Sequence, residues 1–339
     1  MPRFDIISIG GATQDHTFIT NEGKIFNTPE DLTSQKFLAF EYGAKIHASE
    51  AYVTIGGGAA NTAVSLTRLG FKTAIISRLG KDQLGRYITE QLKREHVHTS
   101  LLQLDHQYVS PFSCIIMADR KDKDRVVFTY SGCSQFLTLD FKKLSRFKAK
   151  WLYLTSLSGQ NSLKNLKTIF STAQMKNSKV YWNIGGQQIN AGKRLLLPFL
   201  KQTDVLQLNK DEAIELVLSG ITLGRKNPNH LNRPLYLLNI LYEWGPRVVV
   251  ITDGHKGAWA FDGRKVHHRK IKKAKTVDTT GVGDGFGSGF LAGLLTEKGN
   301  VSQALEWGMI NSASVSTKVG AQNGLLFKKE MFKKLKKAL

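Results

Sequence analysis

Through most of the chain, short apolar runs alternate with segments whose apolar residues recur every three or four positions. The runs at 5–9, 73–77, 151–155, 180–183, 205–208 and 247–252 read as strands. The segments 59–69, 84–95, 163–175, 231–244, 284–295 and 301–319 carry helical spacing. Strands that are apolar throughout, separated by helices, predict a mainly parallel sheet covered on both faces, an α/β fold in three layers. In such folds ligands bind beyond the carboxyl ends of the strands.

Two segments interrupt this rhythm. Residues 18–53 hold only short runs of alternating polarity, and the runs 114–117 and 126–130 flank the charged turn Asp119-Arg120-Lys121-Asp122-Lys123-Asp124 as in a hairpin. We therefore expect a small β subdomain from 18–53 and 113–131, standing off an α/β core formed by 1–17, 54–112 and 132–339. A β flap over a strand-end pocket would serve as a lid.

The densest chemical signal is Asp278-Thr279-Thr280-Gly281-Val282-Gly283-Asp284-Gly285-Phe286-Gly287-Ser288-Gly289-Phe290, a glycine turn that opens a helix. Glycine inside a helix costs roughly 1 kcal/mol relative to alanine. Either something packs closely on this helix or the amides at its start are left bare for a ligand. Bare amides with the macrodipole behind them favour an anion. The segment lacks the Lys-Ser/Thr of a phosphate-binding P-loop and the third glycine of a dinucleotide fingerprint. As an isolated feature, Asp284 could equally be a helix cap.

A second strand–glycine–helix junction occurs at Ile55-Gly56-Gly57-Gly58-Ala59-Ala60-Asn61. Consecutive glycines let a ligand approach the backbone, and Asn61 offers both a donor and an acceptor one turn later.

Composition narrows the class. The 339 residues include 48 Lys and Arg against 27 Asp and Glu, a net charge of +21. Such a field attracts nucleotides, sugar phosphates or nucleic acid. The charge gathers in the runs 120–125, 267–275 and 328–337, the last of which reads as a basic terminal helix with Met331, Phe332 and Leu335 on one side. No apolar run is long enough to span a membrane, and the N-terminus reads as a strand, not as a signal peptide. Cys114 and Cys133 form no disulfide framework, which points to a reducing, cytoplasmic setting.

Taken together these motifs resemble the ribokinase-like (PfkB) family of carbohydrate and nucleoside kinases. The likeness runs in order along nearly the whole chain: Gly10 to Asp15, Gly56 to Asn61, Gly80-Lys81-Asp82-Gln83-Leu84-Gly85, Asn209-Lys210-Asp211-Glu212, Thr252-Asp253-Gly254-His255-Lys256-Gly257, Asp278 to Asp284, and Gly320-Ala321. It implies an ATP-dependent kinase that moves the γ-phosphoryl group to a hydroxymethyl group of a sugar or nucleoside. Asp284 would be the base, and the amides of Gly281, Val282 and Gly283 would hold the developing charge. Asp15, placed in a strand-end turn, would align the acceptor with Gly57, Gly58, Asn61 and Asn183. Asn209, Glu212, Thr252, Gly254, Gly257 and Asn311 would serve the nucleotide. Glu212 would hold magnesium through water, and Asp278 and Thr280 would serve a monovalent cation such as potassium. The family also implies pairing of two copies through the β lid.

Gly58 stands where ribokinases commonly carry Lys, and Asn183 stands where many relatives carry Asp. Gly58, Ala59 and the aromatic Trp182 resemble adenosine-type nucleoside kinases of the family. A reading from another class is a non-catalytic member of the fold that binds nucleotide or RNA through its basic charge.

Overall fold

The structure is a computed structural model that describes residues 2–27, 36–118, 125–222, 228–272 and 274–337. The turn 119–124 and Lys273 of the basic run lie outside the described residues.

An eight-stranded sheet forms the centre, in the order Val266–Arg269, Ala258–Phe261, Val248–Thr252, Val205–Asn209, Lys179–Asn183, Lys148–Leu154, Arg3–Ile9, Thr73–Ile76. The last six strands named are parallel, and they are the six read from the sequence. The first two form an antiparallel edge that the sequence reading did not include; Ala258–Phe261 is a short apolar run, and His267 and His268 interrupt the pattern of its partner.

Side chains alternate across the sheet, so each strand feeds two cores. Leu152, Leu154, Val180, Trp182, Leu206, Leu208, Val249 and Ile251 pack on one face with the helices Ser162–Lys176, Gly192–Leu200, Lys210–Leu218 and Pro234–Glu243. Trp151, Tyr153, Tyr181, Val205 and Val250 pack on the other with Val282–Thr296 and Val301–Val315. The basic helix Lys328–Lys336 docks here through Met331, which is fully buried, and Phe332, whose ring lies edge-on to Trp307 at 5.4 Å.

Most glycines of the helix Val282–Thr296 serve packing. Gly285, Gly289 and Gly293 lie one turn apart, and a Cβ at these positions would come within 2.7–2.9 Å of Val315, of Asn311 and the Trp307 carbonyl, and of the Trp307 ring. The neighbouring helix therefore seats against bare backbone, and dispersion contacts offset the propensity loss.

A separate four-stranded sheet runs Val126–Tyr130, Phe112–Met117, Thr13–Ile19, Glu50–Gly56. Its hairpin Phe112–Met117/Val126–Tyr130 is antiparallel, as the sequence pattern indicates. The sheet takes in Thr13–Thr17 and Thr54–Gly56, which the sequence division leaves with the core. Asp15 consequently lies inside a strand, paired with Thr54 and Ser113, and not in a strand-end turn.

Candidate active site

The carboxyl ends of the parallel strands converge on the start of the helix Val282–Thr296. Gly281 caps this helix at φ 74°, a left-handed backbone that favours glycine, and a Cβ there would also overlap Ala321. Beside Gly283 the space is open. Among the described residues the amides of Gly281, Gly283 and Asp284 have no backbone acceptor, and that of Val282 has only a 3.4 Å contact with the Thr279 carbonyl. Such amides at a helix start attract an anion.

Asp284 sits in this first turn. Its Oδ2 accepts a hydrogen bond of 2.8 Å from Asn61 Nδ2, and Asn61 Oδ1 accepts one of 3.0 Å from Gln322 Nε2. Burial pushes the Asp284 carboxyl up to about 6, with the Asn61 bond pulling it down and the charge of Asp15 pushing it up. The two glycine junctions therefore meet at one carboxylate.

Asp15 is 5% exposed and accepts from the hydroxyls of Ser113 and Thr13. Burial raises its carboxyl above the usual range, the two hydroxyl bonds oppose this, and Asp278 adds to it. A Cβ on Gly56 would overlap this carboxylate. Gly57, at φ 89°, lies against the Gly11 carbonyl, and a Cβ on Gly58 would meet the Thr155 side chain at 2.9 Å. The space beside all three glycines is taken by the protein's own Asp15, Gly11 and Thr155, leaving no room at position 58 for lysine.

On the other flank, Asn209 and Glu212 form a reciprocal cap. Asn209 Oδ1 accepts from the Glu212 amide and Glu212 Oε2 from the Asn209 amide, each at 2.8 Å. Burial raises the Glu212 carboxyl, the Asn209 amide opposes this, and Glu215, Asp211 and Asp284 add to it. Thr252 ends the adjacent strand in register with Asn209. Gly254, at φ 43°, borders open space, whereas Gly257, at φ 96°, is pressed on the Arg269 carbonyl. Asn183 ends its own strand, with Nδ2 3.4 Å from the Gln207 carbonyl.

Several expectations need correction. Asn311 is fully buried: its Nδ2 donates to Ser65 Oγ and the Gly285 carbonyl, and its Oδ1 accepts from the Leu326 amide. It ties three segments together and lines no nucleotide pocket. Asp278 is 1% exposed; its Oδ1 accepts from the Thr280 amide and hydroxyl and its Oδ2 from the Gly320 amide. Asp278 and Thr280 staple the loop to Gly320. Trp182 is fully enclosed against Phe170 and gives no support to a nucleoside pocket. In the Gly80–Gly85 motif, Asp82 caps its helix through the Gly85 amide at 2.6 Å and also binds the Ser110 amide and hydroxyl, a structural role.

Two residues beside the site escaped the sequence reading, and a third was read only as part of the charged run 120–125. Gln322 follows the Gly320-Ala321 motif directly. Gln207 is the one polar residue between Val205 and Leu208, an anomaly that pattern alone could have flagged. Arg125, from the small sheet's hairpin, donates through Nη1 to Thr279 Oγ1; nothing in its sequence context singles it out from neighbouring charges.

Comparison with known proteins agrees with this fold. A ribokinase of Haemophilus influenzae is 27% identical over 288 residues, covering 84% of this chain and 89% of that protein. The structure of Arabidopsis thaliana ribokinase complexed with ribose and ATP matches with a TM-score of 0.76 at 19% identity, covering 99% of both chains. That of a Burkholderia thailandensis nucleoside kinase in complex with inosine matches with a TM-score of 0.78 at 15% identity, covering 98% of both. No helix among the described residues is long and apolar enough to cross a membrane. The family model for pfkB family carbohydrate kinases matches residues 29–328, and the chain belongs to that family of phosphotransferases with an alcohol group as acceptor.

Proposed function

We propose that the protein transfers the γ-phosphoryl group of ATP to a hydroxymethyl group of a sugar or nucleoside. The observation that carries this reading is the Asp284 carboxylate beside the unpaired amides of the helix start, held by Asn61 and coupled electrostatically to Asp15. A carboxyl with its pKa raised to about 6 is ionised near neutral pH and still basic enough to take a hydroxyl proton. The amides of Gly281, Val282 and Gly283 would then face the negative charge that builds on the phosphoryl oxygens. Asp15, with Ser113 and Thr13 fixing its orientation, would accept from acceptor hydroxyls, and Asn183 would border the same cleft. An analogue without those hydroxyls leaves a buried acceptor unpaired and is rejected.

Magnesium, when bound, would neutralise charge on the transferring phosphates. Glu212 keeps Oε1 outside its capping bond, and its raised carboxyl beside Asp284 marks a negative region suited to a hydrated cation. Asn209, Thr252 and Gly254 would border the nucleotide.

The small sheet is the proposed lid. Its buried face carries Asp15, Thr17, Ser113 and Ile115, and its hairpin sends Arg125 to Thr279 of the phosphate loop. Its other face exposes Phe18, Val53, Phe112, Phe128 and Tyr130, an apolar patch that supports pairing of two copies there. We do not favour a non-catalytic RNA-binding role, because it leaves the buried Asp284 and Asp15 unexplained.

The test is ADP release with ATP, magnesium and a panel of pentoses, hexoses, ketoses and nucleosides. Turnover with one acceptor class, abolished by Asp284→Asn, supports the reading. Absence of turnover across the panel, together with salt-sensitive RNA binding, would overturn it.

A further inference from the structure

Gln207 lies where an apolar residue would be expected. It is 2% exposed in the strand Val205–Asn209, and the alternation of the sheet puts it on the face that carries Tyr153 and Tyr181, beneath the helix Val282–Thr296. Burying an amide side chain in such a layer costs free energy unless its polar atoms are bonded. Here both ends are bonded. Gln207 Oε1 accepts from Tyr181 Oη at 2.7 Å, and Gln207 Nε2 donates to the Gly283 carbonyl at 3.1 Å. Tyr153 and Tyr181 are fully buried and stacked with ring centroids 4.4 Å apart. The helix leaves room for this cluster only because residue 287 is glycine, since a Cβ there would overlap Gln207 Oε1 and Tyr153 Oη.

The bonded carbonyl has a particular consequence. The Gly283 C=O and the Asp284 N–H belong to one planar peptide unit and point in opposite directions, so holding one aims the other. That N–H is among the first-turn donors that lack a helical acceptor. The peptide lies in the first turn of the helix Val282–Thr296, and Gly281 and Gly283 carry no Cβ that would add to its restraint.

We propose that Gln207, oriented by Tyr181, is a positioning residue that clamps the Gly283–Asp284 peptide so that its N–H and the Asp284 side chain face the transferring phosphoryl group. A core needing only stability would be served by leucine, as at Leu206 and Leu208 on either side. This inference rests on the kinase reading and adds to it a residue that touches neither substrate nor nucleotide.

The experiment compares wild type with Gln207→Leu and Gln207→Met, which keep bulk and remove the donor, and with Tyr181→Phe, which removes only the orienting hydroxyl. The readouts are kcat, KM for acceptor and ATP, melting temperature, and affinity for ADP with and without aluminium fluoride, a mimic of the phosphoryl in flight. Removal of a preorganised donor costs about 10²–10³ in kcat, so misaiming one should lower kcat about 10- to 100-fold. The KM values, the melting temperature and the affinity for ADP alone should stay near wild type, while affinity for the ADP–aluminium fluoride complex falls by a factor similar to kcat. Tyr181→Phe should give a smaller loss of the same kind. A kcat within twofold of wild type in both Gln207 variants overturns the inference, as does a kcat loss matched by weaker binding of ADP alone and a lower melting temperature. If wild type turns over no acceptor, the kinase reading fails, and the aluminium fluoride comparison still judges the clamp. Should Gln207→Leu not fold, Gln207→Met carries the comparison.

Discussion

Asp284→Asn should stabilise the protein while silencing it, and the stabilisation should depend on pH. The carboxyl has an ordinary value of 3.8 and is raised to about 6 in the fold, chiefly by burial. A raised carboxyl means that the folded state prefers the protonated form. Its favourable contribution is complete below 3.8 and is lost as pH rises through about 6, so above pH 7 the ionised side chain is a burden on the fold. A shift of about two units corresponds to roughly 3 kcal/mol, and water in the open cleft screens part of it, leaving about 1–3 kcal/mol. Asparagine removes the charge and can still accept the bond from Asn61 Nδ2. With an unfolding entropy of about 2.1 cal/mol/K per residue, 339 residues give roughly 1.4 °C per kcal/mol, hence a rise of about 1–4 °C at pH 8. The assay is thermal unfolding of both proteins from pH 4.5 to 8.5, alongside ADP release. The difference should be smallest at the acid end, about a third of its full value at pH 4.5, grow up to pH 7, and level off above. Turnover should fall by a factor of about 10² to 10⁴ at all pH values. A difference that does not vary with pH, or a variant less stable than wild type at pH 8, would refute the reasoning. On the proposed function, activity opposes stability here, because a general base must keep a charge where the fold would rather have none.

Four further outcomes follow. kcat/KM of the wild type should drop tenfold per pH unit on the acid side of about 6, and a flat profile down to pH 5 would exclude Asp284 as the titrating base. Gln322→Leu frees Asn61 Oδ1 and should lower kcat several-fold with little change in melting temperature; equal loss of both would make Gln322 merely structural. Gly281→Ala forces a side chain into a left-handed backbone against Ala321 and should destabilise the fold by about 1–3 kcal/mol, read as an earlier denaturant midpoint. Arg125→Ala should weaken catalysis at saturating acceptor without altering stability, and an unchanged kcat would detach the hairpin from the phosphate loop.

Much of the molecule could be read from residue order. The six parallel strands were visible because each is buried on both faces and so is mostly apolar. The antiparallel edge was not, since Val266–Arg269 carries His267 and His268 on a half-exposed surface. The helix start at Asp284 announced itself through its glycines, yet the chain alone gave no way to sort them. Gly285, Gly289 and Gly293 answer to the neighbouring helix, Gly287 to Gln207, and Gly281 to backbone geometry and Ala321. Asn311 and Trp182 misled for a related reason: a residue type suited to a pocket serves as well inside a core, and only burial tells the two apart.

By itself the sequence determined the fold class, the order of motifs and the carboxylate we propose as base, because these follow from local periodicity and from residue types at short spacing. The tertiary structure decided which of those groups meet. Asn61 and Asp284 are 223 positions apart and Asn61 and Gln322 are 261 apart, and each pair is joined by one hydrogen bond. It decided as well that Asp15 lies buried on a strand of the second sheet and that Gln207 reaches the Gly283 carbonyl from below. Hydrogen bonds and burial act between neighbours in space, and how the two sheets and the helix start are packed together is what makes these residues neighbours.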